Sequence, residues 1–300
     1  MKLKILLNTL VIIGLLYLLR ISMLGIHYAT ATPNFQDSPT IKRLRETRNC
    51  PKCNLSNANL ANAYLREANL TKANFTNADL GNADLSGALL KNANLKNANL
   101  SGANLSGADL LQSNLQGTDL RGSIINNQTE LDSKWRIVWE LVNLPVGFKN
   151  LEKTELVGAN LSNVNLSQIN LESANLKNAK LSSTKLQEAN LITTNLMQAD
   201  LFIADLKNAN LSRANLTNAN LSNADLRQSN LTEAKLNRAN LRGAELTDAN
   251  LNKANLSNAD LTNANLSNAD LTGANLTKIK LSSNTNLCGA IMPDGKQKVC

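Results

Sequence analysis

Four cysteines and a spaced row of acids are the residues whose types could do chemistry. Cys50-Pro51-Lys52-Cys53 is a CxxC, the spacing of a thiol-disulfide redox site or of half a zinc site. The redox reading wants a βαβ context that the surrounding sequence lacks. The zinc reading wants two further ligands, and Cys288 and Cys300, the other cysteines, lie near the opposite end of the chain. Structural disulfides are the reading preferred for Cys50, Cys53, Cys288 and Cys300. Asp205, Asp225 and Glu245 follow at twenty-residue intervals, with Lys185 before and Asn265 after. Stacked side by side they could recruit a cation such as calcium, although a solvated strip is the simpler expectation. The single histidine, His27, lies in an apolar leader. Ser-His-Asp, Cys-His and histidine-metal constellations are thereby excluded from the remaining chain, and no Gly-rich phosphate loop opens a helix. The sequence predicts no enzyme, no cofactor and no resident metal.

What must position these residues is a repeat. Through residues 206–276 nearly every fifth residue is Leu, and two before each Leu stands Ala, as in ANLSR ANLTN ANLSN ADLRQ. A helix turns about 100° per residue, so a Leu every five residues spreads over all its faces. In a strand, Leu (position i) and Ala (i−2) share one face, but the next Ala at i+3 would point the wrong way. The chain therefore has to turn once per pentapeptide, with i+1 and i+2 as corner residues. Position i+2 is repeatedly Gly or Asn, as at Gly87, Gly102, Asn97 and Asn218, residues that tolerate positive φ. Four such corners close a coil of twenty residues, stacked on the next at about 4.8 Å.

The pattern A(D/N)LXX resembles the pentapeptide-repeat family and covers about two thirds of the chain. The resemblance implies an all-β fold, a right-handed quadrilateral β-helix. Departures are mild: Phe75 and Ile125 stand for Leu, while Ser113, Thr118, Val164, Ile169 and Ile279 stand for Ala. Aromatics make up 3% of the sequence, as a narrow interior requires.

Residues 1–31 read as a signal peptide or N-terminal membrane anchor: Lys2 and Lys4, an apolar run, then Ala29-Thr30-Ala31 as a small-residue cleavage site. The apolar run is short for a bilayer, which favours cleavage. Either way the repeats are expected outside the cytoplasm, in periplasm, thylakoid lumen or extracellular space. The formal charge of +8 is concentrated in the leader and the residues just after it, so the repeats are close to neutral. Nucleic acid is therefore not the expected partner, and membrane contact is expected only through the N-terminal segment if it is retained.

A linker and helical cap are expected over 32–53, with Ser38-Pro39 starting a helix over 39–48. Repeat blocks follow over 54–125 and 154–281, out of phase by one residue. Between them, 126–153 carries a helical pattern over 130–143 and both tryptophans. That helix either packs on the solenoid to cover the phase break or offers Trp135, Trp139 and Arg136 to a partner. Its wording, Ser133-Lys134-Trp135-Arg136 then Val138-Trp139-Glu140, resembles an insert recurring in cyanobacterial pentapeptide-repeat proteins. The tail, 282–300, is a cap with a turn at Pro293-Asp294-Gly295, where a Cys288 to Cys300 disulfide would close a hairpin. The CPxC lead-in and this MPDG ending resemble exported members of the same family.

The function expected is that of an exported, non-enzymatic structural or protein-interaction scaffold. The alternatives are a DNA mimic that inhibits a topoisomerase, a role some family members play, and a minor thiol-disulfide role through Cys50 and Cys53.

Overall fold

The computed structural model describes residues 38–144 and 150–300; the leader and its cleavage site lie outside the described residues. Among those described, no helix is long and apolar enough to cross a membrane.

Each pentapeptide has five backbone amides, and their destinations define the coil. In the unit around Leu55, the Leu55 amide donates to Asn74 O at 2.7 Å and the Asn57 amide to Thr76 O at 2.9 Å, both on the next coil. The Asn74 amide in turn donates back to Cys53 O, and the Ala58 amide closes the corner onto Leu55 O. The fifth, on Ser56, has no backbone carbonyl in reach and donates to Asn54 Oδ1 at 3.2 Å. Asn or Asp at i−1 is thus the residue that completes the set, by an Asx turn. Residue i+2 holds positive φ at corner after corner, φ 57° at Asn57 and 58° at Asn218, the left-handed position of a type II turn.

Parallel bridges join i−1 residues twenty apart, from Asn49 with Asn69 to Asn104 with Ile124, and again from Asn150 with Asn170 to Asp260 with Lys280. The coil of four sides expected from the sequence is therefore present, and the two blocks are offset by one residue. Inside, Leu and Ala interleave: Ala209, Leu211, Ala214 and Leu216 are fully buried. Burying apolar area of this kind is worth about 25 cal/mol per Å². The occasional Thr in an Ala slot keeps its hydroxyl satisfied, as Thr184 does on Leu161 O at 2.9 Å.

The ends differ from the expected boundaries. Cys50 and Cys53 sit in a Leu slot and an Ala slot of a first repeat that begins at Asn49, ahead of residue 54. Each block also continues beyond its expected stop through one extra residue, pairing Asp109 with Glu130 and Asn265 with Asn286. At both places a threonine hydroxyl closes the longer corner: Thr129 receives the Asn126 amide and donates to Leu105 O, and Thr285 receives the Ser282 amide and donates to Leu261 O.

Helix α1, Pro39–Thr47, covers the first coil with Ile41 and Leu44. Ser38 caps it by accepting the Ile41 amide, and Arg48 ends it in the left-handed region. Helix α2, Ser133–Asn143, lies at the junction between the blocks.

Candidate interaction surface

The junction is built from what the phase break leaves unpaired. On one corner the blocks still meet directly, the Gly117 amide donating to Gly158 O at 2.7 Å. Elsewhere α2 supplies the missing coil. Trp139 Nε1 donates to Ser123 O at 2.9 Å, Asn143 Nδ2 donates to Leu120 O, and Asn143 Oδ1 accepts the Gly122 amide. Arg136 donates to Thr129 O at 2.8 Å. Asp132, the residue before the helix, gives its carboxylate to the Gln112 amide and makes no side-chain cap bond. Across the gap, Lys134 Nζ donates to Val157 O at 2.6 Å and lies 4.3 Å from the centre of the Trp135 ring. Burial pushes the Lys134 amine below its usual pKa, with Glu155 pulling the other way.

Of the two alternatives for the insert, the structure has the helix packed on the solenoid. Trp135 is 5% exposed and packs inward with Val138 and Leu141. Trp139 and Arg136 are half-buried and spend their polar groups on carbonyls of block 1. The helix is an internal cap, because orphaned carbonyls at a sheet end cost more than an exposed surface residue gains.

The cysteines form two local disulfides, Cys50 to Cys53 and Cys288 to Cys300. The first crosslinks a corner from inside, with Cys50 fully buried. The second ties the tail hairpin, in which Ile291 pairs antiparallel with Gln297. Among the described residues no group of ligands could hold a metal ion.

The acidic column does stack: Lys185, Asp205, Asp225, Glu245 and Asn265 are bridged in order. Each carboxylate has its own partner. Gln187 donates to Asp205, Arg227 pairs with Asp225, and Asn265 Nδ2 donates to Glu245 at 2.9 Å. Hydrogen bonding from Arg227 holds the Asp225 carboxyl below its usual range, against a burial that pushes it up. The strip is a solvated hydrogen-bonded ladder. Within other columns, asparagines pair with their counterparts twenty residues away, as Asn190 Nδ2 does with Asn170 Oδ1 at 3.0 Å, so one side chain serves both its own turn and the neighbouring coil. A recess at the corner formed by Ser167, Gln187, Glu188 and Lys207 is polar and open.

What remains to offer is the set of four long faces. A profile of pentapeptide repeats matches in eight copies over residues 53–92, 88–127, 154–191, 174–209, 194–233, 204–243 and 239–277, about two thirds of the chain. The chain belongs to the pentapeptide-repeat family. Among solved structures, this pentapeptide-repeat protein is similar to HetL, involved in heterocyst differentiation regulation in the cyanobacterium Nostoc sp. strain PCC 7120. The two are 32% identical over 87% of this chain and 99% of that one, with a TM-score of 0.44. Rfr23 from the cyanobacterium Cyanothece 51142 is 22% identical over 83% and 97%, with a TM-score of 0.27. QnrB1, a plasmid-mediated fluoroquinolone resistance protein, is 18% identical over 75% and 87%, with a TM-score of 0.37. No curated protein matches this chain.

Proposed function

We propose that this pentapeptide-repeat protein is a non-enzymatic scaffold that binds other proteins along its faces, and that it works outside the cytoplasm. Its coils are taken to wind as the right-handed quadrilateral β-helix of its family. The observation that carries the reading is the spending of polar groups: backbone amides, inserted carboxylates and buried hydroxyls are matched within the coil, leaving rigid periodic surfaces and no convergent reactive cluster among the described residues. A preorganised surface of that kind loses little entropy on binding. Export is supported by the leader sequence and fits a chain whose cysteines are joined in disulfides.

The topoisomerase-inhibitor alternative wants carboxylates in an unbroken row that imitates phosphates. Arg227 and Lys207 flank the most acidic column and offset its charge. The thiol-disulfide alternative wants an accessible attacking sulfur, whereas Cys50 is buried beneath α1.

Proximity labelling from the full chain in its native source tests the scaffold reading. Reproducible protein neighbours are expected, enriched over a control in which exposed corner residues are shuffled and the Ala and Leu positions kept. Identical neighbours for both would count against it.

A further inference from the structure

Folding into coils sorts the charges of block 2. The side whose centres run through Lys180, Asp200 and Asn220, taken with its two corners, holds six of the thirteen cations in residues 151–281 but only two of the twelve acids. The remainder of the block, with that side and both its corners left out, carries seven cations and ten acids. The positive charge of a nearly neutral block is thus gathered on this side and on the corner of Lys177, Arg238 and Lys278 that it shares with the next side.

The same face carries an apolar row in the coil of residues 191–210. Met197 stands at one corner of the coil and Phe202 and Ile203 at the next, with Phe202 38% and Ile203 50% exposed. In the coils directly before and after, the matching corners hold Ser182, Ser183, Ser222 and Asn223. The backbone at this place is strained as well. Ile203 has φ 56°, and it shares with Thr193 of the same coil the distinction of being a β-branched residue in the left-handed region, where such side chains are outliers. A strained, exposed aliphatic residue has no stabilising role that Asn or Gly would not fill better, and strain retained in this way marks functional surface. Asp200, between the two apolar corners, is already engaged by Ser182 and Asn220. At about 4.8 Å per coil, Lys177 lies one coil before the apolar row, and Arg238 and Arg242 lie two coils after it. Arg242 is in addition a loose partner of Asp260, at 3.5 Å.

We propose that this face docks a protein segment with an apolar centre flanked by acidic side chains, the apolar residues seating on Met197, Phe202 and Ile203 and the acids reaching Lys177, Arg238 and Arg242. The assignment rests on the scaffold reading and names the chemistry of its partner. Charge complementarity selects the occupant: a second copy approaching through the same face would set cations against cations.

The test titrates the full chain with fluorescein-labelled short peptides that share a Leu-Phe-Leu centre and are flanked by Glu, by Gln or by Lys, followed by anisotropy. The Glu peptide is expected to bind at least about tenfold more tightly than the Gln peptide, the Lys peptide not at all, and added salt to weaken binding. Phe202→Ser with Ile203→Asn, residues the neighbouring corners already use, is expected to reduce affinity about tenfold, as is Lys177→Glu with Arg238→Glu. No measurable binding of the Glu peptide, equal binding of the Glu and Lys peptides, or an unchanged affinity in the Phe202-Ile203 variant overturns the proposal. So does displacement of the peptide by duplex DNA whose own binding ignores the Phe202-Ile203 variant, which would identify a nucleic-acid surface. If proximity labelling still recovers neighbours after any of these failures, the scaffold reading stands and only this face is misassigned.

Discussion

The amide of Gly117 donates to the carbonyl of Gly158 at 2.7 Å although 41 residues separate them, where corner amides within a regular run of repeats reach 19 residues ahead, as Gly158 does to Lys177. Two blocks of different phase therefore touch directly at one corner and are held apart elsewhere by α2. The junction depends on that helix for both its packing and its hydrogen bonds.

Replacing Trp135 with Ala should empty a buried indole site and destabilise the junction by about 3 kcal/mol. Trp139→Phe keeps the ring but withdraws the donor from Ser123 O, at about 1 kcal/mol. Urea unfolding followed by hydrogen exchange checks both, with faster exchange expected first at the Gly117 and Gly122 amides.

At the corners, Asn218→Val places a β-branched residue at φ 58° and should lower stability by about 1 to 2 kcal/mol, while Asn218→Gly should be close to neutral. The reverse change, Ile203→Asn, should raise stability by about 1 kcal/mol. Denaturation midpoints of the three variants decide it, and a stabilised Ile203→Asn protein would separate loss of binding from loss of fold.

Acid should act through Asp225. Its folded pKa lies below the ordinary aspartate value of 3.8, so the stability it contributes is complete above about pH 4 and disappears as pH falls through the depressed value. Arg227→Gln removes the main partner and should flatten the loss of stability below pH 4. The pair is partly exposed, so solvent screening should keep the difference small. Urea midpoints of both proteins at pH 6 and pH 3 give the comparison.

Reduction should affect the two ends unequally. Cys288 and Cys300 are twelve residues apart, Cys50 and Cys53 three. Loop entropy makes the longer closure worth roughly 1 kcal/mol more. Reduced protein should show faster exchange at the Gly289 and Lys298 amides of the tail hairpin than at the Cys53 amide.

The interior was legible from the sequence because period five leaves one solution: Ala209 and Leu211 are both where a turn per pentapeptide puts them. The disulfides at the ends were legible as candidates by residue type. Cys50 and Cys53 as Leu and Ala substitutes were readable in principle, since Asn49 and Asn54 keep the i−1 positions, but Pro51 and Lys52 disguise the repeat. The role of Trp135 was not readable, since amphipathic spacing is the same whether the apolar face meets a partner or the end of the chain's own coil. The extra residues before Glu130 and Asn286 became visible only through the threonine hydroxyls that close them. Nor could composition foresee where the positive charge gathers, because the charges sort only when residues twenty apart are stacked.

A coil with four sides makes the protein a kind of vernier. Loss or gain of twenty residues changes the length of the prism by about 4.8 Å and leaves every face aligned. Loss or gain of five leaves the interior just as well filled, yet turns everything beyond it by a quarter revolution. Duplication and deletion can therefore re-aim one patch relative to another without disturbing a single leucine, so this architecture can evolve new spatial combinations of contacts separately from its stability.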